Sequence, residues 1–323
     1  MTVAIIKEDL MNRIAFVFPG QGSQFVGMGK ELYEASLAAR EVFQEVDETL
    51  KFNLTRLIFE GPQEELMLTS NTQPALMAVS LAILRTLVNE AGVKIENIDY
   101  VAGHSLGEYS ALAAVGSLEL NACAKLLRQR GESMQAAVPI GQGAMAALLG
   151  AEIEQAEKIA QEATQGQVCE VANDNSPGQI VISGHVEAIN RAIEIAKAHQ
   201  IKRAVILPVS APFHCSLMKP SAEVMKEALE KTSFKAPRVP VVFNVMAQPQ
   251  NDPLSHPELL IQQITSRVRW RESISYMKSQ GVTKIVEIGA GKVLTGLTKR
   301  IDPELEGLSI QTPEDIDVFL KQV

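Results

Sequence analysis

Ile98-Asp99-Tyr100-Val101-Ala102-Gly103-His104-Ser105-Leu106-Gly107-Glu108-Tyr109-Ser110-Ala111-Leu112-Ala113-Ala114-Val115-Gly116 is the stretch on which the reading of this chain turns. Its first five residues read as a buried strand. From Glu108 to Val115 it is rich in helix formers, and Gly116 closes the run. Between the two lies Gly103-His104-Ser105-Leu106-Gly107, which fits G-x-S-x-G. Strand, tight turn and helix in that order make a nucleophile elbow. The flanking glycines let the backbone turn sharply and clear space around the serine oxygen. Ser105 then stands at a helix N-terminus, where free N–H groups and the helix dipole favour a developing oxyanion. Acyl transfer is the chemistry this arrangement suggests, and a purely structural turn is the alternative.

Outward from the elbow, apolar strands alternate with longer helical patterns, which predicts an α/β class. Ile14 to Phe18 reads as the first strand and runs into Pro19-Gly20-Gln21-Gly22-Ser23-Gln24. Pro74 to Val88 reads as a helix with proline in its first turn. A further helix covers about residues 119–137. Near residue 140 the rhythm changes. Strands at 144–149, 168–172, 179–183 and 204–209, with helices at 152–164 and 186–200, give β-α-β-β-α-β, the ferredoxin-like split arrangement. A turn is expected at Asn175-Ser176-Pro177-Gly178. The predicted organisation is a parallel-sheet α/β unit from residues 1–137 and 210–323, with residues 138–209 inserted as a small subdomain. Lys284 to Ile288 supplies another strand of the large unit.

At 323 residues the chain can build both cores. A hydrophobic share of 46% beside 21% charged residues is that of a soluble globular protein. The net charge of −8 and the lack of a basic run argue against nucleic-acid binding. Cys123, Cys169 and Cys215 are widely spaced and form no C-x-x-C, so neither a disulfide framework nor a metal site is expected, and a reducing cytoplasm fits. The first ten residues carry acids where a signal peptide needs positive charge. No apolar stretch reaches the ~18 residues of a membrane span.

A nucleophilic serine needs a base, and histidine is the usual one. His199, near a helix end, and His185, in the turn before a helix, read as solvated; His256 falls in a proline-rich loop. His104 adjoins the serine, where elbow geometry turns neighbouring side chains apart. His214 remains, in Ser210-Ala211-Pro212-Phe213-His214, where a rigid turn could hold it in the cleft between the units. No acid stands out as a third member, and a backbone carbonyl would suffice to fix the imidazole tautomer.

Arg130 is the second signal. Cys123, Leu127, Arg130 and Met134 follow spacings of four, three and four along the predicted helix, so the guanidinium shares an apolar face. A buried guanidinium needs an anion. An internal salt bridge or snorkelling would answer; so would a substrate carboxylate, which arginine holds with a planar fork. The loop at Gly20-Gln21-Gly22 tempts a dinucleotide reading, but Phe25 stands where a third glycine is required. Backbone donation to an oxyanion suits that loop better. Gly289-Ala290-Gly291-Lys292 looks like half a phosphate loop, with Val293 in place of Ser or Thr.

Taken together, these pieces resemble the malonyl-CoA:acyl-carrier-protein transacylase family. The resemblance is carried by Phe18 to Gln24, Gln73-Pro74-Ala75, Gly103 to Glu108, Arg130, Asn175 to Gln179, Phe213-His214, Val268-Arg269-Trp270 and Glu287 to Leu294, in order from about Arg13 onward. Arg267 departs from the proline usual before Val-Arg-Trp, and the first dozen residues match no family role. The resemblance implies a hydrolase-like α/β domain with a ferredoxin-like insert, agreeing with the reading above. It implies Ser105 as nucleophile, His214 as base and Arg130 as ligand of the malonyl carboxylate. It further implies an oxyanion hole from the N–H groups of Gln21 and Leu106, a main-chain hold on the histidine from Gln263, and malonyl selectivity from Phe213. The implied partners are malonyl-CoA and a holo acyl carrier protein, with no cofactor or metal; the chain is read as a cytoplasmic monomer, and a free-standing acyltransferase favours fatty-acid over polyketide synthesis as its setting. A hydrolase in the same fold is the runner-up, and a non-catalytic docking module the third reading. Carrier proteins of this type are acidic, so Lys292, Lys299 and Arg300 are candidates for a local basic surface on this acidic chain.

Overall fold

Five consecutive buried residues, Ile14–Phe18, form strand β1, and such a run without alternation belongs to a strand covered on both faces. The computed structural model describes residues 13–322; the readings made on the N-terminal dozen, and Val323, lie outside them. In chain order the further strands are β2 (Tyr100–Gly103), β3 (Gly143–Leu149), β4 (Cys169–Ser176), β5 (Gln179–His185) and β6 (Arg203–Ile206). They continue with β7 (Val241–Phe243), β8 (Gln248–Pro249), β9 (Lys284–Ile288) and β10 (Glu306–Ile310).

Two sheets result. The larger runs β10-β9-β1-β2-β7-β8 and is parallel except for its last pair. In register, Phe18 lies beside Gly103, so the loops leaving β1 and β2 meet above the carboxyl ends of the central strands. That is where open parallel sheets place their sites. The smaller sheet runs β4-β5-β3-β6 and is antiparallel throughout. With the helices Ile153–Thr164 and Val186–Ala198 it makes the expected β-α-β-β-α-β order around its own apolar core. The fold is therefore α/β, a parallel-sheet core with a separate antiparallel ferredoxin-like sheet. Val268 joins the two: its N–H donates to the Ala172 carbonyl at 2.8 Å, and its carbonyl accepts from Asp174 at 2.9 Å.

Some boundaries differ from expectation. The helix read from Pro74 starts at Thr69, so Pro74 lies inside it. Seventeen of its 21 residues are buried, and that packing outweighs the one hydrogen bond proline withholds. Asn175 and Ser176 belong to β4 rather than to a four-residue turn, because the ladder to β5 persists to the Ser176–Gln179 pair. His256 opens the helix His256–Thr265 and is buried, its Nδ1 3.0 Å from Ser117 Oγ, not part of a loop. No helix among the described residues is long and apolar enough to cross a membrane.

Candidate active site

Ser105 sits where β2 breaks into the helix Gly107–Ala114, with a left-handed φ of 55°. A Cβ on Gly103 would lie 1.9 Å from the Gly107 carbonyl, and one on Gly107 would lie 2.2 Å from the Phe18 carbonyl oxygen. Only glycine fits at either place, so the turn is closed by backbone contact. Asn244 holds the turn from beneath: its Oδ1 accepts the Ser105 N–H at 2.8 Å and its Nδ2 donates to the Gly103 carbonyl at 2.7 Å.

His214 Nε2 lies 2.7 Å from Ser105 Oγ. Its Nδ1 lies 2.9 Å from the Gln263 carbonyl oxygen, which can only accept. Nδ1 therefore carries the proton and Nε2 faces the serine as an acceptor. Burial first, and then the nearby Arg130 charge, bring the His214 pKa down to about 3, against the opposing pull of the Gln263 carbonyl. The imidazole is neutral at rest.

Arg130 projects from the helix Leu120–Ala136, wholly buried. Its Nη1 donates to Gln73 Oε1 at 2.8 Å, and its Nη2 to Gln263 Oε1 at 2.8 Å and to Ser105 Oγ at 3.2 Å. Every acceptor is neutral. Its Nε has no partner, and no carboxylate of the described residues comes within ion-pair distance. Neither an internal salt bridge nor snorkelling describes this side chain, and its face of the guanidinium borders an open cleft.

That cleft, about 410 Å³, is lined by Gln21, His104, Ser105, Leu106, Arg130, Phe213 and His214 among others. Leu207, Pro208 and Val209 close it from the small-sheet side. The N–H groups of Gln21 and Leu106 find no acceptor among the described residues. His104 turns from the serine, as expected, and its Nε2 lies 2.8 Å from Asn175 Oδ1. All seven residues singled out from the sequence border or brace this cleft, Gln263 from behind it.

Three partners were not foreseen in their roles. Gln73 and Glu108 lie in the quoted motifs but carried no assignment; Asn244 gave no signal, since asparagine after a strand reads as an ordinary turn former. Glu108 is fully buried, accepting the Asn244 N–H at 2.6 Å and Gln263 Nε2 at 3.1 Å. Burial pushes its carboxyl up to about 8, against the pull of those two donors and of Arg130. Both oxygens nonetheless meet only donors, which is the bonding pattern of the ionised form. His185 and His199 are structural: His185 Nδ1 accepts the Val168 N–H, and His199 faces Glu162. The half phosphate loop is filled from within, since Glu287 accepts from the N–H groups of Leu294 and Thr295 at 3.1 and 2.8 Å. No cluster of three or more His, Cys, Asp or Glu suited to a metal occurs among the described residues.

The acyl transferase domain family matches residues 15–301. The malonyl CoA-acyl carrier protein transacylase of Bacillus subtilis strain 168 is 48% identical over 312 residues, 96% of this chain and 97% of that protein. The crystal structure of acyl-carrier-protein-S-malonyltransferase from Bartonella henselae superposes with a TM-score of 0.94 at 50% identity, covering 96% of this chain and 99% of that one. A type II PKS acyl-carrier protein in complex with its malonyl-transacylase includes a chain similar at 41% identity and a TM-score of 0.94, covering 97% and 100%.

Proposed function

The chain belongs to the acyl transferase family, and from that premise we propose that it moves malonyl from malonyl-CoA to the phosphopantetheine thiol of an acyl carrier protein. The transfer is ping-pong, through a malonyl-Ser105 ester. His214 Nε2 takes the Ser105 proton as Oγ attacks the thioester carbon. The oxyanion rests on the N–H groups of Gln21 and Leu106, each worth ~3 kcal/mol of barrier. CoA departs as its thiol with the proton from His214. In the second half the carrier thiol gives its proton to His214 and attacks the ester carbon; the bond to Ser105 Oγ breaks, Oγ takes the proton back from His214 Nε2, and the carrier leaves with the malonyl group. Arg130 holds the distal carboxylate through both halves, and Phe213, which lines the same cleft, selects for malonyl.

The observation that carries this reading is Arg130: a buried guanidinium with only neutral partners, its Nη2 3.2 Å from the nucleophile oxygen. A dicarboxylic acyl group supplies the missing anion; a neutral one does not. Residues 138–209 act as the small subdomain over the cleft, and 1–137 with 210–323 as the large one. We further read the protein as a cytoplasmic monomer serving fatty-acid synthesis, without cofactor or metal. Lys292, Lys299 and Arg300, all exposed, offer a basic face to an acidic carrier.

Incubation with malonyl-CoA, read by intact mass with and without holo carrier protein, tests the reading. A malonyl adduct on Ser105 that vanishes as malonyl-carrier forms is the expected result. Free malonate and CoA with no acylated carrier would assign the chain to hydrolysis instead.

A further inference from the structure

We propose that Glu108 is a positioning residue that sets the aim of Arg130, and so the preference for a dicarboxylic acyl group; this rests on the role given to Arg130 above. Glu108 makes no hydrogen bond to Ser105 Oγ or to His214 among the described residues. It acts through Gln263. The Gln263 amide nitrogen has two hydrogens, one donated to Glu108 Oε1 at 3.1 Å and the other to the Ser105 main-chain oxygen at 2.9 Å. Both acceptors are incapable of donating, so together they fix the sense of the amide. Its oxygen is thereby turned to Arg130 Nη2, which donates to it at 2.8 Å and lies against Ser105 Oγ. A flipped amide would set oxygen against two oxygens and its NH2 against a guanidinium.

A carboxylate is what this position requires. The Asn244 N–H occupies Glu108 Oε2 at 2.6 Å, so the residue must accept at both oxygens. Glutamine has the same shape but one acceptor. Its NH2 would confront either the Asn244 N–H or the Gln263 NH2, donor against donor. Turning the Gln263 amide over relieves the second conflict and withdraws the acceptor from Arg130. Holding an unpaired charge in a dry site is costly, which argues against a carboxylate kept here for packing alone.

The test compares acylation of Ser105 by malonyl-CoA and by acetyl-CoA in the wild type, Glu108→Gln and Gln263→Met, with a thermal melt of each. Wild type is expected to favour malonyl. Glu108→Gln is expected to lose malonyl acylation by ~50-fold, mainly as a raised KM, while acetyl acylation falls by less than ~5-fold. The malonyl-to-acetyl ratio then drops by more than ~10-fold. Gln263→Met keeps the main-chain carbonyl that faces His214 and deletes only the amide. It is expected to show the same drop, and it decides the matter if Glu108→Gln does not fold. A ratio unchanged from wild type in a folded variant, including one where both rates fall together, overturns the inference. A wild type that takes both acyl groups equally overturns the role of Arg130 itself, and this inference with it.

Discussion

Ser105 and His214 both hold left-handed backbone, with φ of 55° and 58°, and neither is glycine. Such conformations are disfavoured for a side-chain-bearing residue and persist only where the surroundings over-determine them. Here the surroundings are the Asn244 clamp at the serine and the Gln263 carbonyl at the histidine. Because burial and then Arg130 hold His214 down to about 3, the acid limb of kcat/KM for Ser105 acylation is expected below about pH 5, not near the ordinary histidine value of about 6.5. A pH profile under single-turnover conditions reads it directly. As pH falls from about 6.5 toward 3 the unfolded chain takes a proton the folded site refuses, so this histidine's contribution to stability is complete above that window and lost within it. Arg130→Ala is expected to cut malonyl transfer by ~100-fold or more and acetyl transfer far less; equal losses in a two-substrate assay would refute the selectivity role. The serine, the histidine and the arginine were legible because each breaks a local pattern: a motif, an elimination, a charge on an apolar face. Glu108 was not, since an acid in the first turn of a helix is also what the helix dipole favours.

Between helices, Gly131 decides how close Arg130 comes to its partners. A Cβ there would sit 2.5 Å from Ser70 Cα and 2.6 Å from the Thr69 carbonyl oxygen, both backbone atoms of the helix Thr69–Asn89. That helix also carries Gln73, the Arg130 Nη1 acceptor. Gly131→Ala is expected to drive the pair apart at a cost of about 1–3 kcal/mol. It should lower the melting temperature and weaken malonyl preference together, which a thermal melt and the two-substrate assay would show. At this scale the sequence read well wherever burial was one-sided or continuous. β1 and β9 fall where expected, at Ile14–Phe18 and Lys284–Ile288. The start of the helix at Thr69 was hidden, because proline ordinarily marks a first turn and only tertiary burial sets it deeper.

Across the whole molecule, the small sheet is tied to the large one by arginines on the segment that carries Val268. Arg267 pairs with Glu157 at 2.8 Å, and Arg271 with Asp174 at 2.8 Å. Arg267 is the residue that replaces an expected proline, and its ion pair gives that departure a use. The Asp174 side chain is 1% exposed and that of Arg271 is 25% exposed. Arg271→Met should strand a buried carboxylate and destabilise by about 2–3 kcal/mol, below the range for a fully buried pair because Arg271 keeps contact with water. Asp174 adjoins Asn175, which meets His104, so transfer should also slow. Differential calorimetry beside the transfer assay checks both; an unchanged melt would mean that the pair does not couple the sheets. The alternation of strands and helices made both units legible, whereas these ties join residues about a hundred positions apart and leave no periodic trace.

The turn at Gly289 to Lys292 bears on how far this fold stands from a nucleotide binder. By motif, two substitutions, Val286 to glycine and Val293 to serine or threonine, would complete G-x-x-x-x-G-K-[ST]. Glu287 forbids it. The amides at the start of the helix Val293–Ile301 already have their anion, supplied by the chain itself. Conversion would take a further change that evicts a buried acid from the central sheet, and the intermediate would hold either two anions or none. In mutational distance the two activities lie across a valley, although the letters of the sequence set them side by side.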